Sequence, residues 1–536
     1  MRSASQLASQ RTQRRGFGVV HVSLNVTRDL FFPALEKHGN RPAVIADGRS
    51  WSYRELRTAA LTVADVLVER GIRPGDPVAI IIGNSAEYLV ADLAIIAIGA
   101  VKVPINLMLS DAEAAFILED SGARLVLTSP SQVATVDSLD IEGTRPQTFV
   151  IDVDENKQVT GVAPDGATPR YTGAASALDV PVDAHGMALI MYTGGTTGRP
   201  KGVVHLQRGV VDNMLSHIIE SEITASDHLL LCSPLPHSAG VLAQTALLQG
   251  AVVEIMATFD LERTLGKIES GGVTFLFMVP TMIGRLLDAA ESREDFDSSS
   301  LKTILYGASP ISEERLRQGL RMFGPVFMQL YGQTEVPNFL TRLRRDDHDI
   351  DRFPHRLRSC GQAALMASVR ILHEDGTDCE PDEVGEVAAS SSYVMDRYWN
   401  RPDATADTLR DGWLRTGDLG YLDTDGYLYL VDRKKDMIIT GGLNVYASEV
   451  EQAMSTLDEV RDVAVVGTPD PDWGEAVTAY VVPATAEATP ESVREAARGV
   501  LTSYKRPKVV RFTEALPTTA VGKINKKVLR NVPDGD

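Results

Sequence analysis

The chain has 536 residues, enough for three or four domain-sized units, and its 44% hydrophobic and 23% charged residues are an ordinary globular composition. A formal net charge of −19 disfavours binding to nucleic acid or to anionic lipid. The three cysteines, Cys232, Cys360 and Cys379, form no CxxC pair. This excludes a disulfide framework and a zinc site of paired cysteines, and predicts a reducing, cytoplasmic location.

Strand-like and helix-like segments alternate along most of the chain. Residues 1–20 are rich in Ser, Gln and Arg and predict a disordered tail. Short apolar runs predict strands at 77–82, 124–127, 273–278, 301–306 and 326–331. Helical patterns at 86–98 and 313–322 fall between them. The alternation predicts an α/β fold with a mostly parallel sheet, and the longest apolar run, 93–101, is too short to span a membrane.

The pattern of predicted strands and helices changes after about Arg433. Ser448 lies three residues before Glu451, which predicts a capping box at the start of a helix. Residues 460–466 and 476–482 predict two strands, and Pro490 predicts the first turn of another helix. We therefore expect a large α/β domain over residues 21–434 and a small, mobile α+β domain over residues 435–536.

A glycine-rich segment, YTGGTTGRPKGV at Tyr192–Val203, is the strongest local signal for chemistry. Glycines let backbone N–H groups approach a phosphate, and threonine hydroxyls and Lys201 add hydrogen bonds and positive charge. The spacing differs from that of a Walker A loop, because Lys201 follows Gly198 by three residues and precedes Gly202. The segment therefore predicts a phosphate-binding loop of another kind.

This segment resembles the phosphate loop of the adenylate-forming superfamily, which includes acyl-CoA synthetases, nonribosomal-peptide adenylation domains and firefly-type luciferases. The family usually has Ser where this chain has Gly194, so one hydroxyl is missing. Five further segments resemble family motifs in the family's order: GASP at 307–310, YGQTE at 331–335, TGD at 416–418, DRKKD at 432–436 and GKINKKVLR at 522–530. The resemblance covers roughly residues 40 to 530.

The resemblance implies that ATP, Mg²⁺ and CoA are bound. It implies that Tyr331 stacks on the adenine, that Thr334 contacts phosphate, and that Glu335 holds Mg²⁺, for which a carboxylate is a suitable ligand. Asp418 is implied to bind the ribose hydroxyls. The complete nucleotide-binding set implied is Thr193, Gly194, Gly195, Thr196, Thr197, Gly198, Lys201, Gly307, Ala308, Ser309, Tyr331, Gly332, Gln333, Thr334, Asp418, Arg433 and Lys523.

Two lysines near the carboxyl end are implied to act in turn. Lys523 is expected to bridge the substrate carboxylate and the α-phosphate, and Lys435 is expected to be the hinge on which the small domain pivots. The segment from Lys505 to Arg530 holds eight Lys and Arg against one acid, which suits a lid that binds anions. The catalytic residues implied are Lys523, Thr193, Lys201, His237 and Glu335.

The segment PLPHSAG at Pro234–Gly240 bears on the choice of acid. It offers His237 and no carboxylate, which disfavours an α-amino acid, and it resembles the acyl-pocket gate of acyl- and aryl-CoA synthetases. The predicted acyl pocket is apolar or small, which favours a fatty acid of medium or long chain, or an aryl or polycyclic acid. It comprises His237, Met278, Val279, Gly307, Ala308, Gly332, Val336 and Pro337.

The segment GGLNVYASEVE at Gly441–Glu451 resembles the loop that forms the pantetheine tunnel in CoA ligases, with Ala447 where proline is common. The predicted CoA-binding residues are Gly441, Gly442, Asn444, Trp473, Tyr504, Lys505 and Arg506. The resulting function is an acyl-CoA synthetase that forms acyl-AMP and then a thioester.

The residues leave three other functions open. One is a ligase that loads the phosphopantetheine of a carrier protein, and another is a luciferase-like oxygenase. The third is a catalytically silent sensor, which should have lost Lys523 or Glu335.

Overall fold

The computed structural model describes residues 25–160, 176–193, 199–518 and 524–530, and within them the chain folds into four sheets with helices packed on and between them. The first two sheets belong to the large amino-terminal part. The third continues that part beyond residue 366, and the fourth forms the small carboxyl-terminal part. The predicted tail at 1–20 lies outside the described residues.

The first sheet has nine strands within the described residues. The six neighbours from Phe327–Gln333 to Pro42–Ala46 run parallel, and Val336–Leu343 and Arg49–Ser52, which flank them, are antiparallel to them. The outermost strand, Gln362–Ala363, is antiparallel to Val336–Leu343. In spatial order the strands are Gln362–Ala363, Val336–Leu343, Phe327–Gln333, Thr303–Tyr306, Phe275–Met278, His228–Leu231, Val252–Ile255, Pro42–Ala46 and Arg49–Ser52.

The second sheet, counted over the same ranges, has seven strands, of which five neighbours run parallel; each of the last two at one edge is antiparallel to the strand before it. In spatial order they are Gln147–Val150, Leu125–Thr128, Pro77–Ile81, Val101–Pro104, Met187–Thr193, Lys201–Leu206 and Arg397–Tyr398. The antiparallel edge carries the glycine-rich segment, which therefore connects two neighbouring strands of a hairpin.

The third and fourth sheets are smaller. The third is antiparallel and consists of Ala367–Leu372, Gly385–Ser391, Trp413–Leu422, Leu409–Arg410 and Leu428–Arg433. The fourth consists of Leu443–Val445, Ile438–Thr440, Gly474–Pro483, Val460–Asp470 and Val509–Phe512. Val509–Phe512 runs parallel to Gly474–Pro483, the strand with which it pairs. The boundary between the two sheets falls between Arg433 and Ile438.

Helices cover the sheets and fill the space between them. Ala86–Ile98 is buried at every position except Glu87, because its side chains pack with Val44 of the first sheet and Ile80 of the second. The helices of the described residues are Thr27–His38, Tyr53–Glu69, Ala86–Ile98, Asp111–Ser121, Val133–Ser138, Gln207–Ser221, Ser238–Gln249, Leu261–Glu269, Pro280–Glu291, Glu313–Phe323, Pro402–Thr408, Ala447–Met454, Pro490–Val500 and Lys526–Arg530.

The predicted fold class is confirmed: a large α/β part with mostly parallel strands precedes a small α+β part. The predicted helix over 86–98 has those bounds, and the helix at Pro490–Val500 is capped by Thr489, whose hydroxyl accepts from the Ser492 N–H. The predicted capping box at Ser448 is wrong. The helix begins at Ala447, and the Ser448 hydroxyl donates instead to the carbonyl oxygen of Val431.

Candidate active site

Two of the predicted nucleotide-binding segments, the strand that begins at Lys201 and the segment that holds Thr334, meet where the first two sheets contact each other. Thr303–Tyr306 and Phe327–Gln333 are parallel neighbours, so the segments 307–310 and 331–335 lie at the carboxyl ends of these strands, on the same side of the first sheet. We call this side the carboxyl edge of the sheet. His205, on the second sheet, donates from Nε2 to the carbonyl oxygen of Thr334 at 2.8 Å. Burial lowers the pKa of His205 to about 4, so the ring is a neutral donor at physiological pH. This bond ties the predicted phosphate-binding strand to the YGQTE segment.

Two glycines at this edge allow backbones to approach closely. A Cβ atom on Gly307 would lie 2.6 Å from the carbonyl oxygen of Leu330, and one on Gly332 would lie 2.5 Å from the carbonyl oxygen of Asn338. Any larger residue would therefore displace a neighbouring strand. Ala308 has a φ of 68°, a left-handed conformation that residues other than glycine seldom adopt. The edge is thus shaped by backbone geometry as well as by side chains.

Asp418 is the centre of a polar cluster that joins three of the predicted motifs. The Tyr331 hydroxyl and Gln333 Nε2 each donate to Asp418 Oδ2 at 2.6 Å. Arg433 Nε lies 2.7 Å from Oδ1 of the same carboxylate. Burial, followed by the charge of Asp418, raises the pKa of Tyr331, so its hydroxyl stays a donor. A ribose diol bound to Asp418 would compete with these donors, and Arg433, with 43% of its side chain exposed, has the most room to move.

Glu335, the predicted Mg²⁺ ligand, is held by a tyrosine that no motif indicated. The Tyr398 hydroxyl donates to Glu335 Oε1 at 2.7 Å, and Lys201 Nζ lies 4.9 Å from the centre of the Tyr398 ring. Tyr398 reaches this point because its strand pairs with the strand that follows the glycine-rich segment. Lys201, Tyr398 and Glu335 therefore form one continuous group, although nearly 200 residues separate the first two.

The glycine-rich segment connects the strands Met187–Thr193 and Lys201–Leu206, with Thr193 directly opposite Lys201. Asp120 fixes the base of this hairpin, because it accepts from the Tyr192 hydroxyl at 2.8 Å and pairs with Arg401 at 2.8 Å. Neither Asp120 nor Arg401 was indicated by the sequence. The predicted residues Gly194, Gly195, Thr196, Thr197, Gly198 and Lys523 lie outside the described residues.

His237 precedes the helix Ser238–Gln249 and contacts Asn106, which follows a parallel strand of the second sheet. Asn106 Nδ2 lies 3.1 Å from His237 Nε2, while Asn106 Oδ1 accepts from the Met108 N–H at 3.0 Å. The bond from Met108 fixes the orientation of the amide, so Asn106 donates and Nε2 of His237 accepts. Asn106 thereby selects the His237 tautomer that carries its proton on Nδ1.

The remaining acyl-pocket residues differ in exposure. Met278 and Val336 are fully buried in two separate apolar clusters, the first containing Tyr306 and the second Tyr331. Val279 and Pro337 are half-buried, at the starts of a helix and a strand respectively. Met278 pairs with Tyr306, the residue before Gly307, and Val336 pairs with Gln333, the residue after Gly332. The contact of these positions with an acyl group stays a prediction.

The predicted CoA residues of the small part lie on its surface, but several have partners in the chain. Trp473 is half exposed, and Lys508 Nζ lies 3.5 Å from its ring centre. A Cβ atom on Gly441 would lie 2.7 Å from the same ring. Lys505 pairs with Glu449 at 2.5 Å, and Arg506 donates to the carbonyl oxygen of Leu501 at 2.9 Å. Gly442, Asn444 and Tyr504 are exposed.

The predicted hinge, Lys435, lies in the turn between the third and fourth sheets. Burial is the main cause that lowers the pKa of Lys435. The carbonyl oxygen of Lys435 accepts from Arg530 at 3.4 Å, and Arg530 also pairs with Asp436 at 2.6 Å. The carboxyl-terminal helix therefore packs against the predicted hinge.

The chain is similar to known proteins over most of its length. Residues 31–399 match the family model described as AMP-binding enzyme, and residues 449–523 match AMP-binding enzyme C-terminal domain. The chain is 35% identical to a medium/long-chain-fatty-acid–CoA ligase, FadD8, of Mycobacterium tuberculosis, over 94% of this chain and 89% of that protein. It is 36% identical to a feruloyl-CoA synthase of Amycolatopsis sp over 91% and 95% of the two chains.

A solved structure is also similar: the amide bond synthetase McbA from Marinactinospora thermotolerans, with a TM-score of 0.82 and 31% identity. The match covers 93% of this chain and 98% of that one. In the described ranges, none of the helices has both the length and the apolar character needed to cross a membrane.

Proposed function

Because the chain belongs to the AMP-binding enzyme family, we infer that it is an ATP-dependent acid–thiol ligase that forms an acyl adenylate and then an acyl-CoA thioester. The observation that carries this proposal is the group of Lys201, Tyr398 and Glu335 beside the Asp418 cluster. These contacts support our assignment of a cation to Lys201, of the Mg²⁺ ligand to Glu335 and of the ribose contact to Asp418. A catalytically silent sensor is disfavoured, since Glu335 and Lys523 are both present.

In the first half-reaction, an oxygen of the substrate carboxylate attacks the α-phosphorus of ATP. The bond to the bridging oxygen breaks and pyrophosphate leaves, so the products are acyl-AMP and pyrophosphate. Two anions approach each other in this step, and fixed positive charge must offset their repulsion. Lys201 supplies part of that charge from the base of the hairpin, and we assign the remainder to Lys523.

The residues present fit a Mg²⁺ ion. Glu335 accepts one hydrogen bond from Tyr398 at Oε1, and a carboxylate has lone pairs for further partners. Together with phosphate oxygens and water, Glu335 would complete the oxygen ligands that Mg²⁺ prefers, and the ion would neutralise phosphate charge. The Tyr398 hydroxyl fixes the orientation of the carboxylate before the ion binds.

In the second half-reaction, the sulfur of the CoA thiol attacks the acyl carbon and its proton passes to solvent. The bond from the acyl carbon to the phosphate oxygen breaks, and AMP leaves with the bonding electrons. We assign the exchange between the two steps to a rotation of the small domain, residues 435–536, about Lys435. Lys523 then withdraws and the loop at Gly441 and Gly442 approaches the large domain, residues 21–434. One active site can serve both steps because the small domain exchanges one lid for another.

The substrate is assigned to hydrophobic carboxylic acids. The segment Pro234–Gly240 carries no carboxylate that could pair with an ammonium group. FadD8 is named for medium and long fatty acids, and the Amycolatopsis sp relative is named for ferulate. A medium- or long-chain fatty acid is our first candidate and an aryl acid is the second.

The three cysteines are free thiols, which supports the proposed cytoplasmic location.

The experiment that tests this proposal is mass spectrometry of the purified protein incubated with ATP, Mg²⁺ and a panel of carboxylic acids. Parallel samples contain CoA, a phosphopantetheinylated carrier protein, a simple amine, or no acceptor. Acyl-CoA together with AMP supports the ligase, and the best acid identifies the substrate class. Acyl-AMP that persists with CoA and disappears with the carrier protein would show that the carrier protein, and not CoA, is the acceptor. No adenylate from any acid would contradict the proposal.

A further inference from the structure

The hairpin that joins the strands Ala367–Leu372 and Gly385–Ser391 carries three side chains with metal-binding atoms, outside the site described above. His373, Cys379 and Glu383 each contribute one such atom, and the three atoms lie within 4.8 Å of one another. Adenylation and thioester formation use none of them.

The backbone of this hairpin holds the three residues in place through hydrogen bonds. His373 donates its N–H to Thr377 at 2.9 Å and accepts from Gly376 at 3.1 Å, which closes the first turn. Cys379 donates its N–H to the Ile371 carbonyl at 2.9 Å. Glu383 donates to the Glu380 carbonyl at 3.1 Å, and Glu383 Oε2 accepts from the Glu380 N–H at 3.0 Å. The ligand atoms are therefore presented by a fixed backbone.

The separation of sulfur and nitrogen suits a tetrahedral metal ion. Cys379 Sγ lies 3.5 Å from His373 Nδ1. A zinc ion bonded to sulfur at about 2.3 Å and to nitrogen at about 2.1 Å, with tetrahedral angles, separates the two atoms by about 3.6 Å. Glu383 Oε2 lies 3.5 Å from the other ring nitrogen, Nε2, so its carboxylate must rotate to join the same ion. Glu383 is exposed and has room for this movement, in which Oε2 gives up its bond from the Glu380 N–H in exchange for the metal.

The charge of the hairpin favours a cation over a reactive thiolate. Residues 373–384 contain six carboxylates and no lysine or arginine. Arg370 neutralises Asp378, with its Nε and Nη2 each 2.6 Å from the carboxylate. The order thiol, imidazole, carboxylate also resembles an activated nucleophile, but the surrounding acids would destabilise a thiolate anion. A divalent cation would instead be stabilised by the same acids.

We propose that His373, Cys379 and Glu383 bind one divalent transition-metal ion of the zinc class, with water as the fourth ligand. Thiolate, imidazole and carboxylate are the ligands that zinc takes in proteins, and hard cations such as Mg²⁺ would not select the sulfur. This site is separate from Glu335 and does not depend on the proposed ligase activity.

The test is metal binding by the reduced, full-length protein. Equilibrium dialysis with Zn²⁺ should show one equivalent bound at micromolar metal, and Co²⁺ should produce an absorption band of a cobalt–thiolate bond. Cys379→Ser should remove that band, and Cys379→Ser and His373→Ala should each weaken binding about tenfold or more. His355→Ala, which removes an exposed histidine of another loop, should change neither result.

Binding that appears only at millimolar metal, or that persists unchanged in Cys379→Ser and His373→Ala, would overturn the proposal. Cys232 and Cys360, the other two thiols of the chain, are buried. A cobalt–thiolate band that survives in Cys379→Ser would have to come from one of these two thiols, and the metal would then lie outside the proposed site. Glu383→Gln replaces the carboxylate by an amide of the same shape and should also weaken binding. Should Cys379→Ser or His373→Ala fail to fold, the Glu383→Gln result decides the question, and unchanged affinity there would overturn the three-ligand site.

Discussion

Tyr398 illustrates how a single hydroxyl can orient the carboxylate of Glu335, which we assign to Mg²⁺. Burial raises the pKa of Tyr398, so the hydroxyl remains protonated and donates to Glu335. Tyr398→Phe leaves the ring beside Lys201 but removes that donor. We expect adenylation to fall about tenfold, since a hydrogen bond to a charged group contributes roughly 1.5–3 kcal/mol. The measurement is ATP–pyrophosphate exchange as a function of Mg²⁺ concentration, where the half-saturating concentration should rise.

Tyr427→Phe is the matched control for this prediction. The Tyr427 hydroxyl donates to Asp347 at 2.6 Å, so the same chemical change breaks the same kind of bond outside the site. Equal losses of exchange activity in both variants, with no change in the Mg²⁺ dependence, would mean that Tyr398 contributes stability alone.

Lys523 should act in only one half-reaction. We expect Lys523→Ala to lower adenylation about 100-fold or more, the loss typical of a group that stabilises transition-state charge. Thioester formation from preformed acyl-AMP should be retained, because Lys523 is assigned to withdraw before that step. Lys527→Ala removes an exposed lysine of the neighbouring helix and serves as the control. Equal loss of both half-reactions would contradict the assigned role.

At the scale of the element, the loop between Ile438–Thr440 and Leu443–Val445 separates two roles for glycine. Gly441 and Gly442 both have positive φ, at 59° and 80°. A Cβ atom on Gly441 would strike the Trp473 ring, whereas one on Gly442 would have no heavy atom within 4 Å. Gly441 is therefore required by packing within the small part, and its substitution is a poor test of CoA binding.

Gly442→Asn provides the better test, because asparagine tolerates positive φ and its side chain would enter open space. We expect a rise of about tenfold in the KM for CoA with adenylation unchanged, if that space admits the pantetheine arm. Steady-state kinetics with varied CoA, alongside pyrophosphate exchange, makes the measurement. CoA kinetics equal to those of wild type would remove Gly442 from the tunnel.

The elements show what the sequence can predict. Apolar runs that end at Gly307 and Gly332 identified neighbouring parallel strands, because burial and strand ends leave local signals. The partners Tyr398, Asp120 and Asn106 gave no such signal, since each reaches its site from a distant segment through sheet pairing or helix packing. Ser448 misled for a related reason. Its spacing to Glu451 fits a capping box, but the Ser448 hydroxyl donates to the carbonyl oxygen of Val431, in the neighbouring strand. The Glu451 carboxylate accepts from the Val465 N–H instead of from the start of the helix.

At the scale of the whole molecule, the segment Lys505–Arg530 departs from the acidic charge balance of the chain. The net charge is −19, yet Lys505 to Arg530 is basic, and some of that charge is used for packing. Lys526 pairs with Glu451 at 2.7 Å, and burial raises the pKa of both Glu451 and Asp432 despite the favourable charge of Lys526. Lys526 of this segment therefore helps to hold the small part together.

Buried histidines in the large part predict how the whole molecule responds to acid. Burial lowers the pKa of His205, His217 and His348 to about 4, against 6.5 in an unfolded chain. In the unfolded state, these histidines therefore bind protons below about pH 6.5, whereas in the folded state they bind protons only below about pH 4. Their stability contribution is complete above pH 6.5 and is lost as the pH falls, by about 2 kcal/mol for each histidine at pH 5.

His348→Gln tests this prediction at one site. His348 accepts from the Tyr306 hydroxyl at 2.9 Å and donates to the Arg344 carbonyl at 2.7 Å, and a glutamine amide can make both kinds of bond without titrating. Urea-induced unfolding at pH 7.5 and pH 5 should show a difference in unfolding free energy that is smaller than that of wild type by about 2 kcal/mol. His355→Gln, at an exposed position, should leave the wild-type difference intact. If His348→Gln also leaves it intact, His348 takes up its proton in the folded protein, and the acid sensitivity must arise from other groups.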